Sequence, residues 1–165
     1  MSALLVHNVF VYGSLLSNLG NHHILSELKS HARLISSECL TVNKFYLTGL
    51  KSNEHPYLSE VPLHNDQLSY RIKGELYQVS DDALSKLDWF EEHPVEYFRS
   101  VIEVNDLTGG APSGSAPESF PVLLANIYLL KNEERIAAAR ADFDLKFVIV
   151  NSGDWKSHLK VRLSQ

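Results

Sequence analysis

FVYGSLLSNLGNHH, residues 10–23, begins as a run of aromatic and β-branched side chains, stops at a glycine and then turns small and polar. Read outward from Gly13, the preceding Val6 to Tyr12 has the composition of a buried first strand, since a helix of that sequence would have no caps. A glycine at the strand's end accepts backbone angles closed to other residues. The N–H groups of Gly13, Ser14 and Leu15 can then converge as a nest for a carboxylate or a developing oxyanion, with the Ser14 hydroxyl as an extra donor. An ordinary strand-to-helix turn fits the same residues. The stretch is neither a phosphate-binding GxxxxGK[ST], for no lysine follows, nor a GxSxG nucleophile elbow.

The segment HHILSELKSH, His22 to His31, places Ile24, Leu25 and Leu28 at helical spacing. Strands are expected over Arg33 to Thr48 and over Tyr70 to Val79, the latter with Gly74 as a bulge candidate. Ser80 is positioned to cap a helix DDALSKLDWFEE whose first-turn aspartates complement the helix dipole, and Pro94 stops it soon after Glu92. Tyr97 to Val104 and Val122 to Leu130 read as two strands joined by a Gly-, Pro- and Ser-rich stretch, a flexible hairpin loop around 106–121. A helix over Asn132 to Phe143 and a short strand over Lys146 to Val150 follow. Strands and helices do not alternate as in a doubly wound fold. The expectation is a single α+β domain over 1–165, with a small mixed or antiparallel, barrel-like sheet and a few short helices.

With 165 residues and 44% hydrophobic content, the chain can bury a core of its own. The formal net charge is −5, with Lys and Arg scattered singly, which disfavours a nucleic-acid or anionic-membrane partner. Cys39 is the only cysteine, compatible with a reducing compartment and incompatible with an intrachain disulfide. The N-terminal segment lacks a basic leader and no apolar run approaches the ~18 residues of a membrane span, so a soluble cytoplasmic protein is expected.

The helix beginning at Asp81 carries several carboxylates, and its pitch ranks them. Ala83, Leu84, Leu87 and Phe90 form one apolar side, and Glu91 lies roughly 50° from its middle, against roughly 110° for Asp88 and roughly 150° for Glu92. Glu91 alone is angled toward the apolar side, where desolvation raises a carboxyl pKa toward the range useful to a general base. The plainer alternative is that Glu91 skirts the core or pairs with Arg99. Beyond Pro94, Tyr97 and Arg99 project to one face of a strand and are candidates to line a site beside the helix end.

Taken together, FVYGSL with Asn21 and His22 behind it and LDWFEEHPVEYFR (residues 87–99) resemble the γ-glutamylcyclotransferase-like family, closest to its γ-glutamylamine cyclotransferase branch. The resemblance implies a small barrel-like α+β fold and a reaction without cofactor or metal. It further implies that Tyr12, Gly13, Ser14 and Leu15 hold the γ-glutamyl group of a small-molecule substrate, that Glu91 is the catalytic base, and that Tyr97 is a pocket residue. The implied products are 5-oxoproline and a free amine. Three other readings stand beside it. The fold can serve as a non-catalytic module binding a γ-glutamyl-like carboxylate, Glu91 can pair with Asp88, Glu92 or Glu75 for hydrolysis, and His22, His23 and His31 can be considered as metal ligands. The leaving amine and the oligomeric state are not legible.

Overall fold

Strand β1 (Val6–Val11) lies between an antiparallel neighbour, β4 (Tyr70–Ser80), and a parallel one, β6 (Val122–Leu129). The coordinates are a computed structural model describing residues 5–50, 55–63, 68–112 and 114–165, with backbone alone at 50 and 142–147. Residues 1–4 of the N-terminal segment and position 113 of the expected loop lie outside the described residues. Strand β2 (Ala32–Leu50) pairs with β4 along much of its length and, at Cys39 to Thr41, with β5 (Phe98–Asp106). Since β5 also pairs with β6, the path β2-β4-β1-β6-β5 returns to its start and closes a five-stranded barrel. Only the β1–β6 contact in this ring is parallel, so the barrel is mixed, as expected. The short strands β3 (Pro56–Ser59) and β7 (Phe147–Ile149) pair with the far part of β2.

Closing so small a ring requires bending, and β2 supplies it. Three register shifts against β4, between Leu34 and Ser36, Ser36 and Cys39, and Leu40 and Lys44, all place the extra residues on β2. Gly74 is therefore not the bulge. A Cβ there would lie 2.3 Å from the Val11 carbonyl oxygen and 2.5 Å from the Phe10 ring, so its absence is what lets β1 and its phenylalanine approach β4. Phe10, Phe45, Ile72, Leu76, Ile127 and Leu129 belong to the fully buried core.

Helix α1 (His22–Glu27) is shorter than expected and continues as a 3-10 turn, Lys29–His31. Helix α2 (Asp81–Phe90) starts where expected, the Ser80 hydroxyl accepting from the Ala83 N–H. It leaves β4 opposite Val6, at the start of β1, and packs on β4 and β1. Ten helical residues span ~15 Å and six extended ones ~20 Å, so α2 returns its last turn to the level of β1's far end. That return brings Glu91 to the glycine loop.

The β5–β6 hairpin forms as expected. Its connection is tied to the barrel through Leu107 N–H on the Glu38 carbonyl and an Arg71–Glu118 ion pair of 2.9 Å. Helix α3 (Glu133–Lys146) and β7 match the expected elements. Strand β3 and helix α4 (Trp155–Leu163) are additional. Helix α4 buries only Trp155 and Leu159, too little for an apolar stripe, and Trp155 sits where a Cβ on Gly49 would come within 2.5 Å of its ring.

Two substitutions separate steric closure from local capping. Gly74→Ala forces a methyl group onto a backbone oxygen and is expected to cost about 3 kcal/mol or more, whereas Ser80→Ala removes one cap bond for about 1 kcal/mol. Thermal unfolding of both variants checks the order.

Candidate active site

At the end of β1 the chain leaves the barrel through Tyr12, Gly13, Ser14 and Leu15, and a cavity of about 440 Å³ opens beside it. One wall is this loop. The others are Pro56 and Tyr57 of β3, the segment from Phe90 to Tyr97 beyond α2, and Tyr128 of β6. Of the residues singled out for the site, Glu91, Tyr12, Gly13, Ser14, Leu15 and Tyr97 line this one cavity.

The loop is braced from behind. Asn21 donates from Nδ2 to the Ser14 hydroxyl at 2.9 Å and from its backbone to the Ser14 carbonyl at 3.0 Å, while His22 donates from Nδ1 to the Leu15 carbonyl at 3.0 Å. These bonds use acceptors only. Among the described residues the N–H groups of Gly13, Ser14 and Leu15 have no hydrogen-bond partner, and the Ser14 hydroxyl keeps its own proton to donate. Gly13 itself does not occupy the left-handed backbone region that the sequence suggested. Its side chain is missing because a Cβ would meet the Pro56 ring at 2.6 Å, so glycine here lets β3 close the cavity wall.

Glu91 ends α2, its N–H still bonded to the Leu87 carbonyl at 2.8 Å. The helix faces as its pitch predicts: Ala83, Leu84 and Leu87 are buried, and Trp89 is 83% exposed. The Glu91 carboxylate makes no hydrogen bond or ion pair among the described residues. Burial with nothing to offset it pushes its pKa up to about 7.

Three phenols surround it. The Tyr12 hydroxyl donates to the Tyr128 carbonyl at 2.8 Å, Tyr97 to the Pro56 carbonyl at 3.2 Å, and Tyr128 to Asp88 at 2.7 Å. Burial raises all three phenol pKa values above the ordinary range, with Glu91's charge adding to each, so the phenols stay neutral. The Tyr97 ring stacks on Tyr57 at 6.1 Å between centroids.

Arg99 does not line the cavity and does not meet Glu91. It donates through Nε to Asp88 at 2.8 Å and through Nη1 to Asn126 at 3.2 Å, because the strand begins at Phe98 and carries Arg99 beside β6 and under α2. Asp88, with Arg99 and Tyr128 both on Oδ1, is thereby engaged away from Glu91. Glu75 is on another side of the barrel, bonded to Lys156 and Ser17. The three histidines considered together diverge: His22 contacts Leu15, His23 the Gly20 carbonyl and His31 the Ser80 hydroxyl.

Pro56, Tyr57, Glu96 and Tyr128 were not singled out from the sequence. A four-residue strand that opens on proline carries no usable alternation, and in β6 nothing marks Tyr128 as the tyrosine that faces a cavity.

Comparison with known proteins follows the same residues. Positions 9–157 match the sequence model of the family described as gamma-glutamyl cyclotransferase, AIG2-like. The chain is 34% identical over 146 residues to gamma-glutamylaminecyclotransferase C of Danio rerio, covering 86% of this chain and 93% of that one. It is 28% identical to the gamma-glutamylaminecyclotransferase of Homo sapiens over 73% of this chain and 76% of that one. A crystal structure of an AIG2-like protein from Mus musculus superposes with a TM-score of 0.59 at 25% identity, over 76% of this chain and 78% of that one. A match that begins inside β1, runs through the loop and α2 and ends in α4 takes in every wall of the cavity, and the chain belongs to the gamma-glutamyl cyclotransferase, AIG2-like family.

Proposed function

We propose that the chain, a γ-glutamylcyclotransferase-type enzyme by family, cyclises the γ-glutamyl group of a γ-glutamylamine to 5-oxoproline and releases the amine, with Glu91 carrying the protons. The observation that supports this most is a carboxylate whose pKa is raised to about 7, sharing a cavity with three backbone N–H groups, all of them without a hydrogen-bond partner among the described residues.

The reaction is an intramolecular aminolysis. The α-amine of the substrate attacks its own γ-carbonyl carbon, a five-membered ring closes, and the bond from that carbon to the amide nitrogen breaks. The protein brings no second reactant; it holds a folded-back conformer and moves protons. At neutral pH the attacking nitrogen is an ammonium and loses two protons on becoming the lactam N–H. The departing nitrogen gains two on leaving as an ammonium, so no water enters the balance. Glu91, ionised, takes the two protons one after the other from the attacking nitrogen and returns each to the departing one, ending as it began. The N–H groups of Gly13, Ser14 and Leu15 and the Ser14 hydroxyl face the substrate's carboxylate or the oxygen on which charge develops. Tyr12, Tyr97 and Tyr128 supply walls that keep water from the carboxylate.

Glu91→Gln keeps the shape of the side chain and removes the base. It is expected to bind 5-oxoproline while losing turnover by roughly 10²-fold or more, measured as 5-oxoproline released from a panel of γ-glutamyl amides. Native-rate release by the variant would overturn the assignment. A native protein that binds 5-oxoproline and turns over none of the panel would instead be a binding module of this fold.

The pH dependence follows with a definite sign. Since the working base is the ionised form, kcat/KM is expected to rise with pH through about 7, a limb that Glu91→Gln lacks. Stability moves the other way. A carboxyl whose pKa is raised on folding makes the native state hold more protons than the unfolded chain between about 4.5 and about 7, so this group's contribution falls as pH rises across that window. Denaturant titrations should find Glu91→Gln more stable than the native protein at pH 8, by on the order of 2 kcal/mol, and equal to it below pH 4.5.

A further inference from the structure

Glu75 meets the loop after β1 at both of its ends. In the antiparallel pairing of β1 with β4 it stands opposite Val11, the last residue of β1. Its side chain reaches past the loop to Ser17, accepting the Ser17 N–H at 3.2 and 3.0 Å on its two oxygens and the Ser17 hydroxyl at 2.9 Å. Between these two points the chain makes a tight turn, closed by the Leu16 N–H on the Gly13 carbonyl at 3.0 Å. Ser14 and Leu15 are the central residues of that turn, and with Gly13 they carry the N–H groups that have no partner among the described residues.

The carboxylate is itself held from behind. Alternation on β4 sends Leu76 to one face and Glu75 and Tyr77 to the other, and all three are buried. Tyr77 donates to Glu75 Oε2 at 3.1 Å and Lys156 to Oε1 at 3.0 Å. Lys156 belongs to α4, whose start is fixed against the same strand. The Lys73 N–H donates to the Gly153 carbonyl at 2.9 Å, the Asp154 side chain accepts from the Ser157 N–H at 3.1 Å, and Trp155 is fully buried. An ion pair drawn this far out of water is a poor device for stability alone, because lost hydration offsets most of the attraction. What it fixes is position, since a carboxylate accepts on both oxygens and so ties the loop, β4 and α4 at one point.

We propose that Glu75, with Lys156 behind it, is a positioning residue for the cyclisation: it sets the turn so that the N–H groups of Gly13, Ser14 and Leu15 meet the substrate, although neither side chain lines the cavity. The inference rests on the cyclotransferase reading of the cavity and extends its machinery to α4. A misplacement of ~1 Å is enough to slow an enzyme roughly 10²-fold. Glu75→Gln keeps the shape of the side chain and leaves one acceptor oxygen, so its amide nitrogen faces either the Lys156 ammonium or the hydroxyls of Ser17 and Tyr77.

The test follows 5-oxoproline release from the γ-glutamyl amide that the native protein turns over fastest, across pH, with the Tm of each variant measured alongside. Well below its Tm, Glu75→Gln should show kcat/KM lowered by roughly 10²-fold, with the rise through about 7 retained because Glu91 is untouched. Lys156→Met should lose about 10-fold, the effect of one charge-assisted bond, and Lys156→Arg should recover most of it. A merely structural pair would lower the Tm and leave kcat/KM of the folded variants native. That result, or loss of the pH limb in Glu75→Gln, overturns the positioning role and leaves the cyclotransferase reading intact. Where Glu75→Gln fails to fold, the Lys156 variants decide: a loss that Lys156→Arg reverses supports the role, and a native rate in Lys156→Met, or a loss that persists in Lys156→Arg, overturns it. Absence of 5-oxoproline from every γ-glutamyl amide with the native protein takes down that reading and this inference together.

Discussion

A carboxylate half-buried at the end of α2, with no hydrogen bond or ion pair among the described residues, is the constraint on which the cavity depends. Two of the barrel's glutamates are drawn out of water, and they are treated in opposite ways. Burial drives Glu75 upward, yet its oxygens accept from the Ser17 N–H and hydroxyl, from Lys156 and from Tyr77, and the net effect holds its pKa below the ordinary carboxylate value. Glu91 receives none of this and is raised to about 7. One carboxylate is fixed as a permanent charge that ties α4 to the barrel, and the other is left able to change its charge near neutrality.

Holding an uncompensated carboxylate in place requires that its helix not move. Asp88, one turn before Glu91 on α2, does this through two donors from different strands, Arg99 of β5 and Tyr128 of β6. Arg99 extends the same network to Asn126, and Asn126 to the Asn8 carbonyl on β1. The end of α2 is thus bonded to three consecutive strands of the ring. Double engagement also removes Asp88 as a partner for Glu91 in a carboxylate pair of the kind that hydrolysis of glycosides uses.

What could be read from the sequence was local, and what could not was a matter of which distant pieces meet. Ser80 before two aspartates declares a helix start whatever surrounds it, and a pitch of 3.6 residues places Glu91 on the apolar side once the start is known. The same pitch sends Glu92 to solvent, but it cannot say that the solvent is the cavity mouth, because that depends on β1 ending beside it. Arg99, expected to line the site, turns away from the cavity for a similar reason. Alternation would give it a face shared with Tyr97, but the strand begins only at Phe98, and its partner, Asp88, lies on a different element. At Gly13 the residue type was informative and the cause was not: glycine is needed for the approach of Pro56, a contact from a strand that four residues of sequence do not announce.

The cavity divides its chemistry between donors that stay still and one group that does not. The hydroxyls of Tyr12, Tyr97 and Tyr128 are all committed, two to backbone carbonyls and one to Asp88, and burial holds them neutral. They bring aromatic surface to the walls and no titration near pH 7. The donors without a partner among the described residues are the N–H groups of the loop after β1, whose positions are set by backbone geometry and by Asn21 and His22 bonding to the loop's carbonyls. Donors fixed in this way need no rearrangement when negative charge develops beside them. In the proposed mechanism the loop wall supplies charge stabilisation and the opposite wall the proton carrier, and among the described lining carboxylates Glu91 is the one whose pKa is raised to about 7.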